Sequence, residues 1–359
     1  MSGNPISVVI PAYKPDEKLI STVRGLVDVG FDDIIIVNDG SDESYDNIFN
    51  IIGTVPECTL LRHPINRGKG AALKTAFGFF LENRHGRVGV VTADADGQHL
   101  TQDIAAVAAA VCERDEIIIG ARDFSSDNVP KRSKTGNRIT SAVFRIFFGM
   151  RISDTQTGLR GFPAKYIKPL TEAKGDRFEY ETNMLFMMNS LDIPFSEVPI
   201  STVYIDENRS SHFRVVRDSI RIYGRIIKYF ISSSASAVTD TLMFWLLKHF
   251  KLFGLVLPIP ITFTASIIAR IVSSLLNYFL NAKIVFEGKA NGRTLIKYYT
   301  LAAVQITVSA LLVFATEKLF GVTAPILSTI IKMIVDTVLL LFSFRIQQRW
   351  VFSDKEKKI

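Results

Sequence analysis

The first third of the chain alternates short apolar runs with longer segments of helical periodicity. Five runs have the length and composition of buried strands: residues Ile6–Ile10, Ile34–Val37, Thr59–Arg62, Val88–Thr92 and Ile117–Gly120. The segments 16–29, 69–82 and 101–114 between them have the spacing of helices. Strands that alternate with helices form parallel sheets through right-handed crossovers, so the pattern predicts an α/β domain with a mostly parallel sheet.

The second half of the chain has a different pattern. Between 213 and 228, apolar and basic residues form neighbouring stripes at helical spacing, which is typical of an amphipathic helix in the membrane interface. A helix on the surface of the soluble domain is the alternative, and Asn137–Met150 is a second, weaker candidate for an interface helix. Four apolar spans follow at about 229–250, 259–282, 298–320 and 323–345, each near the roughly 20 residues that a bilayer requires.

These patterns divide the chain into a domain at 1–212, the interface helix at 213–228 and a membrane domain at 229–359. Cations concentrate in the middle link and the tail: Lys283, Lys289, Arg293, Lys297, Arg345, Arg349, Lys355, Lys357 and Lys358. By the positive-inside rule these segments share the cytoplasmic side with the first domain. The N-terminus begins with a strand and lacks the pattern of a signal peptide. We therefore expect a multi-pass protein of the cell membrane with both termini in the cytoplasm.

Composition narrows the range of partners. The chain has 359 residues, a formal net charge of +7 and two cysteines, Cys58 and Cys112. Because the excess cations lie beside the apolar spans, they favour an anionic membrane surface, and no nucleic acid is expected. The two cysteines lack metal-ligand spacing and fit a reducing compartment.

Polar residues follow the predicted strands, at the sheet edge where α/β proteins bind ligands. Asp94-Ala95-Asp96 follows the fourth strand. Two carboxylates at a strand end can hold Mg²⁺ or Mn²⁺ against a diphosphate, since these ions prefer oxygen ligands. Capping of the next helix is the alternative role for this pair.

Two further motifs have open interpretations. Asp39, before Gly40, is either a turn residue or a carboxylate that accepts hydrogen bonds from a nucleotide base. Arg67-Gly68-Lys69-Gly70 opens a predicted helix, where cations and glycines suit a phosphate. Its spacing differs from that of a P-loop.

Taken together, the motifs resemble a known family. They are Pro11-Ala12-Tyr13, Val37-Asn38-Asp39-Gly40-Ser41, Asn66-Arg67-Gly68-Lys69-Gly70, Ala93-Asp94-Ala95-Asp96-Gly97-Gln98-His99, Gly120-Ala121-Arg122 and Asp154-Thr155-Gln156-Thr157-Gly158. Their order and spacing over about residues 5–225 are similar to the family-2 glycosyltransferases, and most to the polyprenyl-phosphate branch with the dolichol-phosphate mannosyl- and glucosyltransferases. Residues 229–352 resemble the GtrA-like four-helix membrane family, whose characteristic endings appear here as Asn281–Phe286 and Arg349–Phe352.

The resemblance implies a Rossmann-like GT-A fold, an inverting displacement and a role for each motif. The residues expected to bind the nucleotide sugar are Pro11, Ala12, Tyr13, Asp39, Lys69 and Asp94. The expected catalytic residues are Asp94, Asp96, Gln98 and Arg122, of which the first three would surround the metal. The expected acceptor-binding residues are Arg138, Asp154, Thr155 and Gln156. The family's Gly-x-Ser-Lys segment is replaced by Asn208–Phe213, so Arg209 or His212 would supply the phosphate-facing charge there.

The expected reaction moves a hexose or N-acetylhexosamine from UDP-glucose, UDP-GlcNAc or GDP-mannose onto a polyprenyl phosphate such as undecaprenyl phosphate. A lipid monophosphate is largely dianionic at neutral pH, because its second pKa is about 6, so the transfer needs no general base. Glu179 and Glu181 remain candidates for positioning the sugar, for anchoring a loop or for a plain helix start. The product would serve cell-envelope glycan modification, and a homo-oligomer remains open.

Two alternatives concern the membrane domain. In one alternative, the first domain binds its ligand without catalysing a reaction, and the protein is a component of a transporter of lipid-linked sugar. Four charged residues lie within the predicted spans: Asp240, Arg270, Lys332 and Asp336. Such charges are costly unless paired, and pairing within Lys332–Asp336 and between Asp240 and Arg270 is expected. The pairs either stabilise the helices or form a polar path for a lipid headgroup. The sequence also contains a weak internal repeat, since the second span ends at Asn281–Phe286 much as the fourth span ends at Gln347–Phe352. The similarity is either a coincidence or the result of two helical hairpins with the same design.

Overall fold

The computed structural model describes residues 4–124, 131–201, 215–249, 261–286, 288–321 and 325–352. The chain divides into two units, Met1–Asp218 and Ser219–Ile359. Arg209 and His212, both predicted acceptor ligands, lie outside the described residues, as do the first two residues of the predicted interface helix.

The first unit is built on a seven-stranded sheet in the order β3-β2-β1-β4-β6-β5-β7. Its strands are β1 (Ile6–Ala12), β2 (Ile34–Asp39), β3 (Cys58–His63), β4 (Gly89–Thr92), β5 (Ile117–Arg122), β6 (Arg160–Pro163) and β7 (Phe195–Ile200). The strand β6 runs antiparallel to its neighbours β4 and β5, and the other pairings are parallel. The predicted mostly parallel α/β sheet is therefore confirmed, with five predicted strands and two additional ones.

Helices cover the sheet because its central strands are apolar on both faces. Every residue of β2 and β4 is buried, as parallel strands under helices require. The helices of this unit are α1 (Lys18–Asp28), α2 (Asp46–Gly53), α3 (Lys69–Asn83), α4 (Thr101–Arg114), α5 (Lys131–Val143), α6 (Ala164–Thr171) and α7 (Glu179–Ser190). The three predicted helices correspond to α1, α3 and α4.

The second predicted interface helix is wrong in its aromatic part. The helix α5 continues into a π-helical turn at Phe144–Phe148. Phe144 is buried and stacks on Phe186 of α7, with ring centroids 5.1 Å apart. These rings therefore belong to the core of the first unit, although Ile139 and Ile146 are exposed.

The register of the sheet brings the motif-bearing ends to one edge. Ala12 of β1 pairs with Asn38 of β2, and Val9 pairs with Thr92, the last residue of β4. Because β6 is antiparallel, the loop that precedes Arg160 enters the sheet at this same edge. The segments after β1, β2, β4 and β5 and the segment before β6 therefore meet there.

The second unit contains most of α8 (Val215–His249), together with α9 (Ile261–Leu280), α10 (Gly292–Phe320) and α11 (Pro325–Ile346). The described parts of the predicted interface helix and of the first span form the single helix α8, because no proline or glycine after Gly224 interrupts it. Among the described residues, three stretches are long and apolar enough to cross a membrane, namely Ile226–Leu247, Ala265–Val285 and Gly292–Phe320. The helix α11 has 22 residues and carries the Lys332–Asp336 pair.

The ends of α9 and α11 have the same local structure, as the predicted repeat requires. Each helix continues into a π-helical turn, at Asn281–Val285 and Gln347–Val351. The side chains that open these turns meet, since Asn281 Nδ2 donates to Gln347 Oε1 at 3.1 Å. Hydrogen bonds at 2.9–3.2 Å add a residue from each of the remaining helices and one more from α11: Ser232, Gln305 and Ser343. A buried chain of amides and hydroxyls therefore connects all four helices.

Both predicted intramembrane ion pairs are confirmed. Arg270 Nη2 lies 3.4 Å from Asp240 Oδ2, and Lys332 Nζ lies 2.7 Å from Asp336 Oδ2. A serine on the neighbouring helix donates to each carboxylate, Ser273 to Asp240 at 2.9 Å and Ser309 to Asp336 at 2.5 Å.

We expect Asn281→Leu to destabilise the membrane unit. The substitution leaves the buried Gln347 Oε1 without the donor Asn281 Nδ2, and the hydroxyl of Ser232 without its acceptor, at a cost of about 1–3 kcal/mol. Thermal unfolding of the detergent-solubilised full chain measures the effect. Ser234→Ala, on an exposed position of the same helix as Ser232, serves as the control and should be silent. An unchanged melting temperature for Asn281→Leu would show that the polar chain does not hold the helices together.

Candidate active site

Lys69 links two carboxylates at the centre of the site. Its Nζ lies 2.6 Å from Asp94 Oδ1 and 3.0 Å from Glu181 Oε1. Lys69 is the first residue of α3, Asp94 follows β4 and Glu181 lies in the first turn of α7. One ammonium group therefore joins three separate elements. This placement favours the site-facing interpretation of Glu181 over that of a plain helix start.

The charges of this group are stabilised by one another. Burial lowers the pKa of Lys69, but Asp94 and Glu181 outweigh burial and hold that pKa above its ordinary value. Burial raises the pKa of Asp94, and Lys69 together with His99 outweighs burial and holds it far below its usual range. His99 Nε2 lies 3.3 Å from the second oxygen of Asp94. Lys69 and Asp94 are therefore both charged at neutral pH.

Asp96 has a different environment from Asp94. Its Oδ1 accepts a hydrogen bond from the backbone N–H of Gln98 at 3.0 Å, across a turn at Gly97, whose φ of 73° suits glycine. Burial and the neighbouring charge of Asp94 raise the pKa of Asp96. Among the ion pairs of the described residues, none involves Asp96. Its carboxylate is thus the more available of the two for a cation.

The carboxylates suit a metal that completes its shell with substrate oxygens. Within the described part of the chain, no three His, Cys, Asp or Glu side chains are grouped as a metal site. Mg²⁺ is commonly bound by one or two carboxylates together with substrate phosphates. Asp94 and Asp96 fit that arrangement, and the predicted metal role of Gln98 stays a prediction.

Asp39 anchors the loop that leads to Lys69. Its carboxylate is buried and accepts hydrogen bonds from the backbone N–H groups of Arg67 at 2.9 Å and Gly68 at 2.7 Å, and it lies 2.7 Å from His63 Nδ1. Gly68 has a φ of 105°, and a Cβ there would meet the carbonyl oxygen of Asp176 at 2.4 Å. Asp39 therefore positions the start of α3, and its predicted contact with a base stays a prediction.

The other predicted nucleoside residues lie at the end of β1. Ala12 is buried in the core, while Pro11 and Tyr13 are partly exposed at the sheet edge. Asn38, opposite Ala12, accepts from the backbone N–H of Ser41 at 2.9 Å. Its Nδ2 is buried and has no hydrogen-bond partner among the described residues. Sequence reasoning included Asn38 in a motif but gave it no role.

Arg122 is held by a buried carboxylate. Its Nε lies 2.6 Å and its Nη2 3.2 Å from the two oxygens of Asp154, which is 0% exposed. Such two-point pairing fixes the plane of a guanidinium. Asp154 therefore acts on the site through Arg122, and the direct acceptor contact expected for it stays a prediction.

The remaining acceptor candidates lie around the loop 153–157. A cavity of about 390 Å³ beside Arg122 is lined also by Asn137 of α5, whose Nδ2 donates to the carbonyl of Ser153 at 2.5 Å. Arg138 follows Asn137 and is exposed, as is Gln156. Thr155 is buried, with an Oγ1 that has no partner in the described part of the chain. These positions agree with the predicted acceptor side, and contact of these residues with an acceptor stays a prediction.

Arg160 is a buried residue next to the candidate site that the sequence analysis did not include. It is 1% exposed and donates to the backbone carbonyls of Thr157 at 3.1 Å, Thr155 at 3.2 Å and Glu181 at 2.7 Å. Burial lowers its pKa. Arg160 thus ties the loop 155–157 to the helix that carries Glu181. No signal in the sequence pointed to this role, because the short strand β6 contains glycine and proline and was not predicted.

Comparison with known proteins gives the family of the chain. Residues 7–191 match the model of glycosyl transferase family 2, and residues 228–352 match that of the GtrA/DPMS transmembrane domain.

Two curated relatives and one solved structure are similar to parts of the chain. A UDP-N-acetylglucosamine–dolichyl-phosphate N-acetylglucosaminyltransferase of Methanococcus voltae is 30% identical over 57% of this chain and 88% of its own. A dolichyl-phosphate beta-glucosyltransferase of Dictyostelium discoideum is 30% identical over 62% and 75%. The structure of glucosyl-3-phosphoglycerate synthase from Mycobacterium tuberculosis with Mn²⁺ and UDP covers 63% of this chain and 78% of that one, at 15% identity and a TM-score of 0.45. The chain belongs to glycosyltransferase family 2, and it joins this enzyme domain to a GtrA/DPMS transmembrane domain.

Proposed function

We propose that the protein transfers a sugar from a nucleotide sugar to a polyprenyl phosphate. The observation that carries the proposal is the arrangement of charge at one sheet edge. Asp94 and Asp96 form an acidic pair after β4, and Arg122 ends β5 with its guanidinium fixed by Asp154. The acidic pair suits a cation with a diphosphate, and the fixed guanidinium suits the phosphate of an acceptor.

The donor side combines a metal with Lys69. Asp94 and Asp96, with Gln98 nearby, would hold Mg²⁺ or Mn²⁺, which neutralises charge on a departing diphosphate. Lys69 would bind the same diphosphate, because its ammonium lies beside Asp94 at the start of α3. Glu181 would hold this ammonium in place while Asp94 binds the metal ion. The residues around Lys69 thus orient the donor and require little movement.

The acceptor side requires no catalytic base. A phosphate monoester, with a second pKa of about 6, is already ionised and nucleophilic at neutral pH. Glu181, which lies beside the proposed donor site, is engaged with Lys69. Alignment of the two phosphates and charge stabilisation then supply the catalysis. This division of roles fits a lipid phosphate better than an alcohol acceptor.

The names of the two relatives support both substrates. One names UDP-N-acetylglucosamine and dolichyl phosphate, and the other names dolichyl phosphate and a glucosyl group. We infer a UDP-linked glucose or N-acetylglucosamine as donor in preference to GDP-mannose. We further infer that the reaction takes place at the cytoplasmic face, since the cationic link 283–297 and the tail indicate that orientation. The product would supply a lipid-linked sugar for cell-envelope glycans.

We expect Asp96→Asn to lower transfer by at least about 100-fold, because loss of one metal carboxylate removes stabilisation of the leaving group. The assay incubates the full chain in membranes with undecaprenyl phosphate, Mn²⁺ and labelled UDP-sugars, and measures organic-extractable label. Asp192→Asn, on an exposed turn position whose φ of 52° asparagine tolerates, is the matched control. If Asp96→Asn forms as much lipid-linked sugar as the wild type, the proposed role of Asp96 is wrong, and if the wild type itself forms none, the transporter alternative is favoured.

Lys69→Met should raise the KM for the donor by about 10–100-fold, since a charged hydrogen bond to the diphosphate is lost and two carboxylates are left facing each other. Glu181→Gln should have a smaller effect, and the double variant should cost less than the sum of both because the residues are in direct contact. Lys74→Met removes another lysine of α3, paired with the exposed Asp176, and should leave the KM unchanged. Strict additivity would show that Glu181 does not position Lys69.

A further inference from the structure

A groove in the second unit contains an arginine that the catalytic proposal does not use. The groove lies between α8 and α9 and has a volume of about 580 Å³. Its polar lining consists of Asp240, Ser266 and Arg270, and the rest is apolar, including Phe244 and Ile267. Because Ser266 and Arg270 are one turn apart on α9, their side chains lie on the same face.

Arg270 is only loosely engaged by the protein. Its side chain is 78% exposed, and its Nη2 lies 3.4 Å from Asp240 Oδ2, longer than the 2.7–2.9 Å or so of a charge-assisted hydrogen bond. The other oxygen of Asp240 accepts from Ser273 at 2.9 Å. A guanidinium has five N–H donors, and Asp240 is its one ion-pair partner within the described residues. Asp240 therefore orients the guanidinium and leaves most of its donors facing the groove.

The second hairpin (α10 with α11) has a closer ion pair than the first hairpin (α8 with α9). Arg270 and Asp336 both lie about three turns before the amide that opens the terminal π-helical turn. In α11 the cation Lys332 is one turn from Asp336 and bonds it at 2.7 Å, while Ser309 takes the other oxygen at 2.5 Å. The equivalent of Lys332 in α9 is Ser266, a hydroxyl. In the first hairpin, Arg270 therefore faces outward and has the hydroxyl of Ser266, rather than a second charged group, one turn before it.

An arginine exposed to hydrocarbon is unfavourable unless it meets an anion or water. Arg270 lies about 14 Å along the helix from Ile261, the first residue of α9. The anions that a lipid bilayer supplies are lipid phosphates, and the planar guanidinium fork matches phosphate oxygens.

We propose that this groove binds the phosphate of a polyprenyl lipid, with Arg270 as its ligand and the apolar groove walls against the first isoprene units. The inference rests on the proposed function for the identity of the lipid, since the acceptor and the glycosylated product both carry that phosphate. It adds a second lipid-phosphate site, on the membrane domain itself. Ser266 lines the groove beside Arg270, and Asp240 with Ser273 positions the guanidinium.

The test is photocrosslinking of the full chain in phosphatidylcholine nanodiscs with a diazirine-bearing polyprenyl phosphate. We expect crosslinked peptides from α8 and α9 around the groove. Arg270→Gln should lower their yield at least fivefold, and Lys332→Gln, a matched intramembrane cation, should not. The double variant Asp240→Asn with Arg270→Gln removes both charges at once, so a folded protein is available if the single variant is unstable. Groove crosslinking by these charge-free variants at the wild-type level would overturn the proposal.

Competition separates the two sources of lipid phosphate. Unlabelled undecaprenyl phosphate should displace the probe, and a tenfold excess of phosphatidylglycerol should not. Equal displacement by both would overturn the assignment to a polyprenyl lipid. Asp96→Asn should abolish transfer and retain groove crosslinking, while Arg270→Gln should retain transfer to a short-chain, water-soluble prenyl phosphate. Failure of the proposed function would therefore appear as absent wild-type transfer with intact Arg270-dependent crosslinking.

Discussion

The organisation of the catalytic domain depends on one ammonium group held between two carboxylates. Lys69, Asp94 and Glu181 come from three elements that are distant in sequence, and each would be unfavourable in its partly buried place without the others. Their mutual charge compensation explains why the strand end after β4 and the start of α7 lie against the start of α3. The charge of Lys69 also holds the pKa of Asp94 well below its usual range, so that Asp94 is in the ionised state that a metal ligand requires.

Hydrogen bonds in the surrounding loops hold Lys69, Asp94 and Glu181 in this arrangement. Asp39 holds the backbone before Lys69, and Arg160 holds the backbone of the loop 155–157 and of Glu181. Gly158 is equally constrained, because a Cβ there would lie 2.4 Å from Asp94 Oδ2. Buried charges that bond to backbone groups make such loops rigid, since an unpaired partner would be costly. The site is therefore preorganised before any substrate binds, which is how electrostatic catalysis operates.

The sequence predicted the sheet well and the contacts of the site poorly. The five long apolar runs are unambiguous, whereas Arg160–Pro163 is short and contains glycine and proline, so its antiparallel place in the sheet was not readable. The motif residues were predicted individually, and their pairing was not. Asp39 and Asp154 illustrate the reason: both are motif acids, and their tasks depend on partners 24–32 residues away that only the fold brings close. The ion pair of Asp240 and Arg270 was predicted because an intramembrane charge has few possible partners.

The membrane unit applies one hairpin design twice, with a difference that has chemical meaning. Asn281 and Gln347 join the two hairpins at one end, where two buried amides satisfy each other. About three turns before these amides in each helix, the corresponding positions carry opposite charges, Arg270 and Asp336. If both charged clusters served stability alone, the shorter ion pair found at Asp336 would suffice in each hairpin. The longer contact and exposed guanidinium of Arg270 therefore indicate that this hairpin retains cationic capacity for an anion from outside the chain.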